Sequence, residues 1–217
     1  RDEIEQRMRE GVDYLVQEYI KKDFELDVIG FSCEHGDKVY IPAVVRKIRD
    51  SMSLQSAYFK LDSLEQYPDF DFDSIRRLVK KIGYEGIFSV ELIHGDGRYY
   101  FLEINLRNDA CAYVYTKAGA NYPYLWVCYC IGKLSEDVFA AAKVRTPFYL
   151  MQMTDFFNFK AGCVSLLQWI WQAVTADAHF ILSGDDMMPY WHSIWWFIKA
   201  VCDRIIARCS RAIGSSR

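Results

Sequence analysis

The order of apolar and polar residues in the first part of the chain predicts a meander of β-strands. Residues 14–20 and 24–33 have strand-like patterns, and the polar turn Lys21-Lys22-Asp23 separates them. After a second turn at residues 34–37, a third strand is predicted over residues 38–46. Residues 48–72 lack such a pattern and are predicted to be a loop.

Three segments are predicted to be helical: residues 2–10, 73–82 and 119–133. The second of them is short and amphipathic. Asp73 or Ser74 is expected to cap its start, and Gly83 stands where a helix would end. Together, these elements predict an α+β fold with an antiparallel sheet and flanking helices.

The best-defined unit is a β-hairpin between residues 86 and 105. Residues 86–93 and 98–105 are strand-like, and His94-Gly95-Asp96-Gly97 forms the turn between them. A short turn of this kind fixes the register of the two strands, so the hairpin also predicts which side chains meet.

Two carboxylates are predicted to face each other in this hairpin. With the turn centred on Gly97, Glu91 lies opposite Glu103, and Asn105 shares that face. In apolar surroundings, two such carboxylates are expected to be protonated, paired with a cation or bound to a metal. Carboxylate and amide oxygens suit Mg²⁺ or Mn²⁺. The alternative is an exposed face with two solvated acids, but Asn105 and the nearby Arg107 favour a metal site.

The composition indicates a globular protein and excludes some classes. Of 217 residues, 52% are hydrophobic and 25% are charged, and the net charge is −3. This balance argues against a nucleic-acid-binding protein. The longest uncharged runs, near residues 118–132 and 161–176, are shorter than the ~20 residues that span a bilayer. The seven cysteines show no metal-site spacing and are expected to be reduced, mostly buried thiols of a cytoplasmic protein.

The composition changes after Lys133, because five of the six tryptophans lie beyond it. Residues 1–134 are therefore predicted to form one domain, and residues 135–217 a mostly helical extension. Residues 191–208 are aromatic on one side and also carry cations. The favoured interpretation is a helix that packs on its own domain, and contact with a membrane surface is the alternative.

The hairpin resembles the metal-binding signature of ATP-grasp ligases, which include biotin carboxylase, carbamoyl-phosphate synthase and D-alanine ligase. The resemblance lies in Phe-Ser-Val-Glu91 and in Phe-Leu-Glu103-Ile-Asn105-Leu-Arg107. It implies that Glu91 and Glu103 bridge Mg²⁺ to the phosphates of ATP, and that Asn105 assists them. It also implies that Arg107 faces the acyl-phosphate or the second substrate.

A second part of the resemblance lies upstream of the hairpin. Leu15-Val16-Gln17-Glu18-Tyr19-Ile20 is similar to the adenine hinge of the family, in which backbone groups bind the base, although Gln17 stands where Glu is usual. Glu25 follows at the position that binds the ribose hydroxyls. Ile93 and Leu102 match apolar positions that pack on adenine, with plain core packing as the alternative. The implied nucleotide-binding residues are Gln17, Glu18, Tyr19, Ile20, Glu25, Ile93 and Leu102.

The resemblance covers roughly residues 12–132 and implies the C-terminal lobe of an ATP-grasp fold. The implied activity is that of an ATP- and Mg²⁺-dependent ligase, which joins a carboxylate to an amine or thiol through an acyl-phosphate. Because the chain begins just before the hinge, a fragment without the N-terminal and lid domains is expected, and this fragment alone is expected to be inactive. The alternative is a non-catalytic nucleotide-binding module or a remnant that needs a partner chain. Residues 151–181 look like the tail of ATP-grasp proteins encoded near bacterial surface-polysaccharide genes.

Three cations, Arg46, Lys47 and Arg49, fall at the end of one predicted strand. They could contact a phosphate or a carboxylate substrate, or they could be a solvated strand end. The pattern leaves both alternatives open.

Overall fold

The computed structural model describes residues 2–11, 17–50, 56–196 and 198–199. Within these residues, one sheet has eight strands: β1 (Phe24–Cys33), β2 (Lys38–Tyr40), β3 (Val44–Asp50), β4 (Ser56–Asp62), β5 (Gly86–Gly95), β6 (Arg98–Asn105), β7 (Phe148–Met151) and β8 (Ala178–His179). The α-helices with assigned bounds are α1 (Asp2–Arg9), α2 (Phe72–Ile82), α3 (Ala112–Ala118), α4 (Tyr122–Cys130), α5 (Glu136–Ala141), α6 (Phe156–Lys160) and α7 (Leu166–Thr175). This combination confirms the predicted α+β class.

Strand β1 organises the sheet. The strands follow the order β6-β5-β1-β3-β4-β7-β8, and β2 pairs with β1 beside this path. One edge of β1 pairs with β5 from Phe24 to Ser32, and its other edge is shared by β3 and β2. These pairs are antiparallel, whereas β7 and β8 are parallel. Polar residues on β1 therefore lie between those of β5 and β3.

Two predictions on the first half of the chain are wrong. The predicted strand over residues 38–46 is two strands, because Pro42 lies between β2 and β3 and has no N–H for a ladder. The predicted loop over residues 48–72 instead contains the end of β3 and all of β4. Ala57, Phe59 and Leu61 of β4 are buried.

The predicted strand over residues 14–20 lies partly outside the described residues, which resume at Gln17. Residues 17–20 form neither strand nor helix, so the prediction is wrong there. No strand of the sheet pairs with them, and their backbone groups have no ladder to complete.

The predicted helix over residues 119–133 is shorter and is preceded by another. Helix α3 ends before Gly119, whose φ of 126° does not continue a helix. Asn121 then caps α4, because its side-chain oxygen accepts a hydrogen bond from the Tyr124 N–H at 3.1 Å.

Helix α2 begins and ends close to its predicted bounds. Asp71, and not Asp73 or Ser74, is the cap, since its carboxylate accepts a hydrogen bond from the Asp73 N–H at 3.0 Å. Gly83 ends the helix in the left-handed conformation with a φ of 63°, as predicted.

The two faces of the sheet carry separate hydrophobic clusters. On one face, α2 packs against a cluster that includes Val28 and Phe88. On the other face, side chains of α3 and α4 pack with Ile29, Phe31 and Val45. Successive residues of a strand alternate between the two faces. Glu25 and Asp27, which precede Ile29 and Phe31 at a spacing of two, therefore lie on this second face.

The segment after residue 134 contributes to the same sheet. Strand β7 pairs with β4, and β8 adds two residues beyond it, while α5, α6 and α7 supply helices. The domain boundary at residue 134 remains a prediction, and the sheet extends across it. Among the described residues, no helix has the length and apolar character needed to cross a membrane.

Of the predicted aromatic helix over residues 191–208, the structure describes residues 191–196 and 198–199, and the others lie outside the described residues. Residues 188–196 are helical. Trp191, Trp195 and Trp196 are exposed, so these three rings do not pack fully on the domain. Contact with a membrane surface remains a prediction.

A buried ion pair attaches the C-terminal segment to the sheet. Arg49 of β3 donates to both carboxylate oxygens of Asp155, at Nε–Oδ1 and Nη2–Oδ2 distances of 3.0 Å and 2.6 Å. Asp155 is fully buried, and Asn158 donates from Nδ2 to Asp155 Oδ1 and to the Asp50 carbonyl oxygen, both at 2.9 Å. Bidentate pairing with an additional hydrogen bond is the arrangement in which a buried pair can be held stably.

Removing this carboxylate should leave Arg49 mostly buried and without its counter-ion. Asp155→Ala is expected to lower the free energy of unfolding by about 3–5 kcal/mol, the usual effect of breaking a buried ion pair. Chemical denaturation followed by circular dichroism measures this change. Asp37→Asn, which removes the exposed pair with Lys80, is the control and should change little. A loss for Asp155→Ala no larger than that of the control would contradict the prediction.

Candidate metal and nucleotide site

The hairpin turn is centred between Asp96 and Gly97. Their φ angles are 50° and 69°, as expected for an Asp-Gly type I′ turn with two positive φ values. Gly95 therefore pairs with Arg98. The prediction, which centred the turn on Gly97, shifts every pair near the turn by one residue.

A β-bulge restores the predicted register further along the hairpin. The pairs shift by one residue between Leu92 and Glu91, which leaves Leu102 of β6 as the extra residue. Glu91 then pairs with Glu103, so the predicted pair is confirmed. The two glutamates face each other because of the bulge, and not because of the position of the turn.

The carboxylates form a row across three neighbouring strands. Asp27 of β1 is the register partner of Glu91, and Glu91 is the register partner of Glu103. Opposed residues project from the same face of the sheet, so the three carboxylates share one face. This is the face on which α3 and α4 pack against Ile29 and Phe31 of β1. Glu25 precedes Asp27 by two residues and lies on this face as well.

Lys47 of β3 is the cation next to this row. Its Nζ lies 3.1 Å from Glu91 Oε2 and 3.3 Å from Glu25 Oε2, and its side chain is only 13% exposed. Burial alone would lower the pKa of Lys47, but the charges of Glu91 and Glu25 outweigh burial and raise the pKa above its usual value. Of the three states expected for Glu91, the structure shows pairing with a cation.

Glu25 is held by two lysines. Lys22 Nζ donates to Glu25 Oε1 at 2.6 Å, and Lys47 approaches the other oxygen. Burial would raise the pKa of Glu25, but Lys22 and Lys47 together lower it below its usual value. Glu25 is therefore ionised at neutral pH and can accept hydrogen bonds.

Asn105 and Arg107 lie at the end of the hairpin. Asn105 Nδ2 donates to Glu103 Oε1 at 2.8 Å, so its amide oxygen remains available as an acceptor or ligand. The Arg107 side chain is largely exposed and donates from Nη1 to the Asn108 carbonyl oxygen at 3.2 Å. In the structure, Arg107 is thus directed toward its own loop.

The residues present fit a magnesium ion. Glu91, Glu103 and Asn105 offer hard oxygen ligands from neighbouring positions on one face. Glu103 is exposed and Glu91 is partly exposed, which leaves room for the waters and phosphate oxygens that Mg²⁺ usually keeps. An ion at this place would have to share Glu91 with Lys47.

The segment predicted to be the adenine hinge approaches the tip of the hairpin. A Cβ on Gly95 would lie 2.6 Å from the Lys21 carbonyl oxygen, so only glycine permits this contact. The Asp23 N–H then donates to the His94 carbonyl oxygen at 2.8 Å, and β1 follows. Of the predicted residues 17–20, the first three are exposed and the last is half-buried.

The two apolar residues predicted to pack on adenine differ in their surroundings. Ile93 is half-buried and is the register partner of Glu25, which lies on the same face. Leu102 is the bulge residue and is 44% exposed. Ile93 therefore lies beside Glu25, the residue predicted to bind the ribose. Leu102 is the extra residue of the bulge, so it has no register partner on β5.

The three cations of β3 have different partners. Lys47 pairs with Glu25 and Glu91, Arg49 pairs with Asp155, and the guanidinium of Arg46 lies 4.7 Å from the centroid of the Phe24 ring. They do not form a solvated strand end. Together with Lys22, Glu25 and Lys60 they line a cleft of about 360 Å³.

Asp27 is a site residue that the sequence analysis did not single out. It is 1% exposed, and its Oδ1 has no hydrogen-bond partner within the described part of the chain. Burial raises the pKa of Asp27 well above its usual value, the charge of Asp109 adds to this effect, and Lys47 opposes it. A signal was present, because Asp27 follows Glu25 by two residues in an otherwise apolar strand.

Comparison with known proteins gave structural similarities alone. No protein-family model matches the chain, and no curated protein does. A biotin carboxylase–β,γ-ATP complex from Campylobacter jejuni is similar over 61% of this chain and 30% of that one, with 16% identity and a TM-score of 0.48. The biotin carboxylase domain of a thermophilic 2-oxoglutarate carboxylase bound to bicarbonate gives 18% identity, the same coverage and a TM-score of 0.49.

A further similar structure is N5-carboxyaminoimidazole synthetase from Staphylococcus aureus, with 11% identity over 47% of this chain and 27% of that one and a TM-score of 0.39. The chain spans about 30% of the length of the two carboxylase structures. Biotin carboxylase is also one of the enzymes that the sequence resemblance names, but similarities of this size carry no functional argument.

Replacing the buried carboxylate of Asp27 should stabilise the metal-free protein. At a pH above the raised pKa of Asp27, Asp27→Asn is expected to increase the free energy of unfolding by roughly 1–3 kcal/mol, because it then removes a buried charge. A raised pKa means that wild-type stability falls as pH rises through that pKa, so the gain should shrink at low pH, where Asp27 is protonated.

Denaturation in the presence of a chelator, at acidic, neutral and alkaline pH, measures this gain. Asp96→Asn at the exposed turn is the control, because it makes the same chemical change where the charge is solvated. A variant at Asp27 that is less stable than wild type at alkaline pH would contradict the prediction.

Proposed function

We propose that the protein binds ATP and Mg²⁺ as part of an ATP-grasp-type ligase, which joins a carboxylate to an amine or thiol through an acyl-phosphate. The observation that carries the proposal is the pairing of Glu91 with Glu103 next to Asn105. Three oxygen ligands on one face beside a cleft with several cations suit a metal ion together with a polyphosphate.

Glu91, Glu103 and Asn105 would hold the metal ion. When bound, Mg²⁺ supplies positive charge that offsets the charge of the phosphates during phosphoryl transfer. The protein's own contribution is to hold the ligands in place before ATP arrives. The hydrogen bond from Asn105 to Glu103 already orients one of these carboxylates.

Lys47 has a role that depends on the metal. In the structure it neutralises Glu91 and Glu25. If Glu91 coordinated a metal ion, Glu91 would attract the ammonium group of Lys47 less strongly. Lys47 would then remain at the edge of the cleft. There it can donate to a phosphate oxygen, so phosphate contact is the role that we propose for this residue.

The nucleoside would lie between the tip of the hairpin and the start of β1. Glu25 would accept hydrogen bonds from the ribose hydroxyls, and residues 17–20 would offer backbone groups to the base. Ile93, which is the register partner of Glu25, would contact the adenine face. The close approach of this segment at Gly95 supports the placement.

Arg107 would act on the second substrate. Its side chain is exposed beyond the ligands and makes only local contacts with its own loop. It is therefore free to swing toward a developing negative charge at the acyl-phosphate without breaking a buried interaction. A nucleotide-binding module without ligase activity is the second candidate, because the contacts of Arg107 in the structure are with Asn108 and Asp109 of its own loop.

Magnesium-dependent nucleotide binding tests the metal assignment. Glu103→Gln keeps the size of the side chain and removes its charge, so ATP affinity in the presence of Mg²⁺ should fall roughly 10–100-fold. Isothermal titration calorimetry, run with and without Mg²⁺, measures the difference. Glu65→Gln, an exposed acid far from the hairpin in sequence, is the control and should bind as wild type does. Unchanged affinity in Glu103→Gln would refute the assignment.

Turnover tests the role of Arg107. Arg107→Ala should keep ATP binding within about twofold and reduce ligase turnover by roughly a hundredfold or more, since it removes charge stabilisation at the reacting group. ADP release by the complete gene product, across a panel of carboxylates with amines or thiols, measures turnover, because this chain alone is expected to be inactive. Retained product formation would refute this role. Binding of ATP by the complete gene product without ADP release on any pair would favour the nucleotide-binding module.

A further inference from the structure

A second group of ligand-type side chains lies beside the carboxylate row. Asp27 of β1, Asp109 of the loop after β6 and Cys111 at the start of α3 have ligand atoms that all lie within 4.8 Å of one another. None of these residues belongs to the predicted set of Glu91, Glu103 and Asn105. The group joins the sheet to the loop that carries Arg107.

One carboxylate oxygen of this group has no hydrogen-bond partner among the described residues. Asp27 is 1% exposed, and its Oδ1 accepts no hydrogen bond from the described residues. Lys47, the nearby ammonium, is held by Glu91 and Glu25. A buried carboxylate oxygen without a hydrogen bond is costly, and a bound cation would offset that cost.

The other two members are held in position. Asp109 Oδ1 accepts a hydrogen bond from the Cys111 N–H at 2.7 Å, which fixes the carboxylate beside the thiol. Cys111 is 6% exposed. The three side chains line a cavity of about 350 Å³ together with Lys47, Ser56, Glu91, Gln152 and Phe180. The cavity has room for an ion and for a water or small ligand.

We propose that Asp27, Asp109 and Cys111 form a second cation site, which takes a thiophilic divalent ion such as Zn²⁺. Two carboxylates and one thiolate are three protein ligands, and the cavity leaves the fourth position of a tetrahedral site open. With metal–ligand distances of about 2.0–2.3 Å, tetrahedral ligands lie roughly 3.5 Å apart, so the side chains need to close by about 1.3 Å at most. Binding releases the thiol proton of Cys111 to water.

The sulfur ligand distinguishes this site from the hairpin site. Mg²⁺ prefers oxygen ligands in octahedral geometry, whereas a thiolate favours Zn²⁺ and other borderline ions. The bound ion would tie β1 to the loop between Asn105 and α3. It would therefore restrict the loop that carries Arg107.

Cobalt titration of the metal-free protein tests the proposal. Co²⁺ is a spectroscopic substitute for Zn²⁺, and a cobalt–thiolate bond gives a charge-transfer band in the near ultraviolet. Wild-type protein is expected to develop this band with one equivalent of Co²⁺, and Zn²⁺ should remove it. Cys111→Ser should abolish the band. Asp27→Asn, which is expected to fold stably, should weaken Co²⁺ binding at least tenfold.

Two variants serve as controls. Cys128→Ser removes another cysteine of the same 6% exposure, on α4, and should leave the band unchanged. Glu103→Gln alters only the hairpin site and should also leave it unchanged. Absence of the band in wild type, its persistence in Cys111→Ser or undiminished affinity in Asp27→Asn would overturn the proposal. Loss of the band in Glu103→Gln would show that the ion binds at the hairpin, and this result would overturn the proposal as well.

Discussion

Carboxylates on neighbouring strands face one another in this sheet, and positive charge is needed to hold them there. Asp27, Glu91 and Glu103 form the row, and Lys47 neutralises Glu91 together with Glu25. Two unit charges 4 Å apart repel by about 4 kcal/mol at an effective dielectric constant of about 20. Lys47 therefore offsets part of the repulsion within the row, because it pairs with the central carboxylate, Glu91. Asp27 is not hydrogen-bonded through Oδ1, so the compensation is incomplete.

The same strand builds both the hydrophobic core and the candidate site. Along β1, the side chains on one face change from Glu25 and Asp27 to Ile29 and Phe31, and the latter two pack with α3 and α4. The loop between β6 and α3 must return from the sheet edge to this apolar end. On its way it brings Cys111 to Asp27. The helices that complete the core thus also determine which side chains surround the carboxylates.

The sequence was sufficient where neighbours along the chain determine the structure. Strand β1, helix α2 and the hairpin depend on local alternation and on turn residues, and they were predicted. Strand β4 was not, because its burial depends on β3 and on β7, which lies far away in the sequence. The Glu91–Glu103 pair was predicted with the turn misplaced by one residue, and the bulge at Leu102 compensated for that error. Bulges have no simple residue signature, so this agreement could not have been foreseen.

The two candidate cation sites are electrostatically coupled, because Asp27 and Glu91 are register partners. An ion at Asp27 would lower the negative potential at Glu91 and weaken the binding of a second ion there. By linkage, an ion at the hairpin would weaken binding at Asp27 by the same factor. The phosphates of a nucleotide would reduce this mutual repulsion, since they add negative charge near the hairpin ion. Lys47 lies between the two sites and contributes to both, because it binds Glu91 and lines the cavity of Asp27. The coupling should therefore depend on whether Lys47 remains on Glu91 or turns to a phosphate.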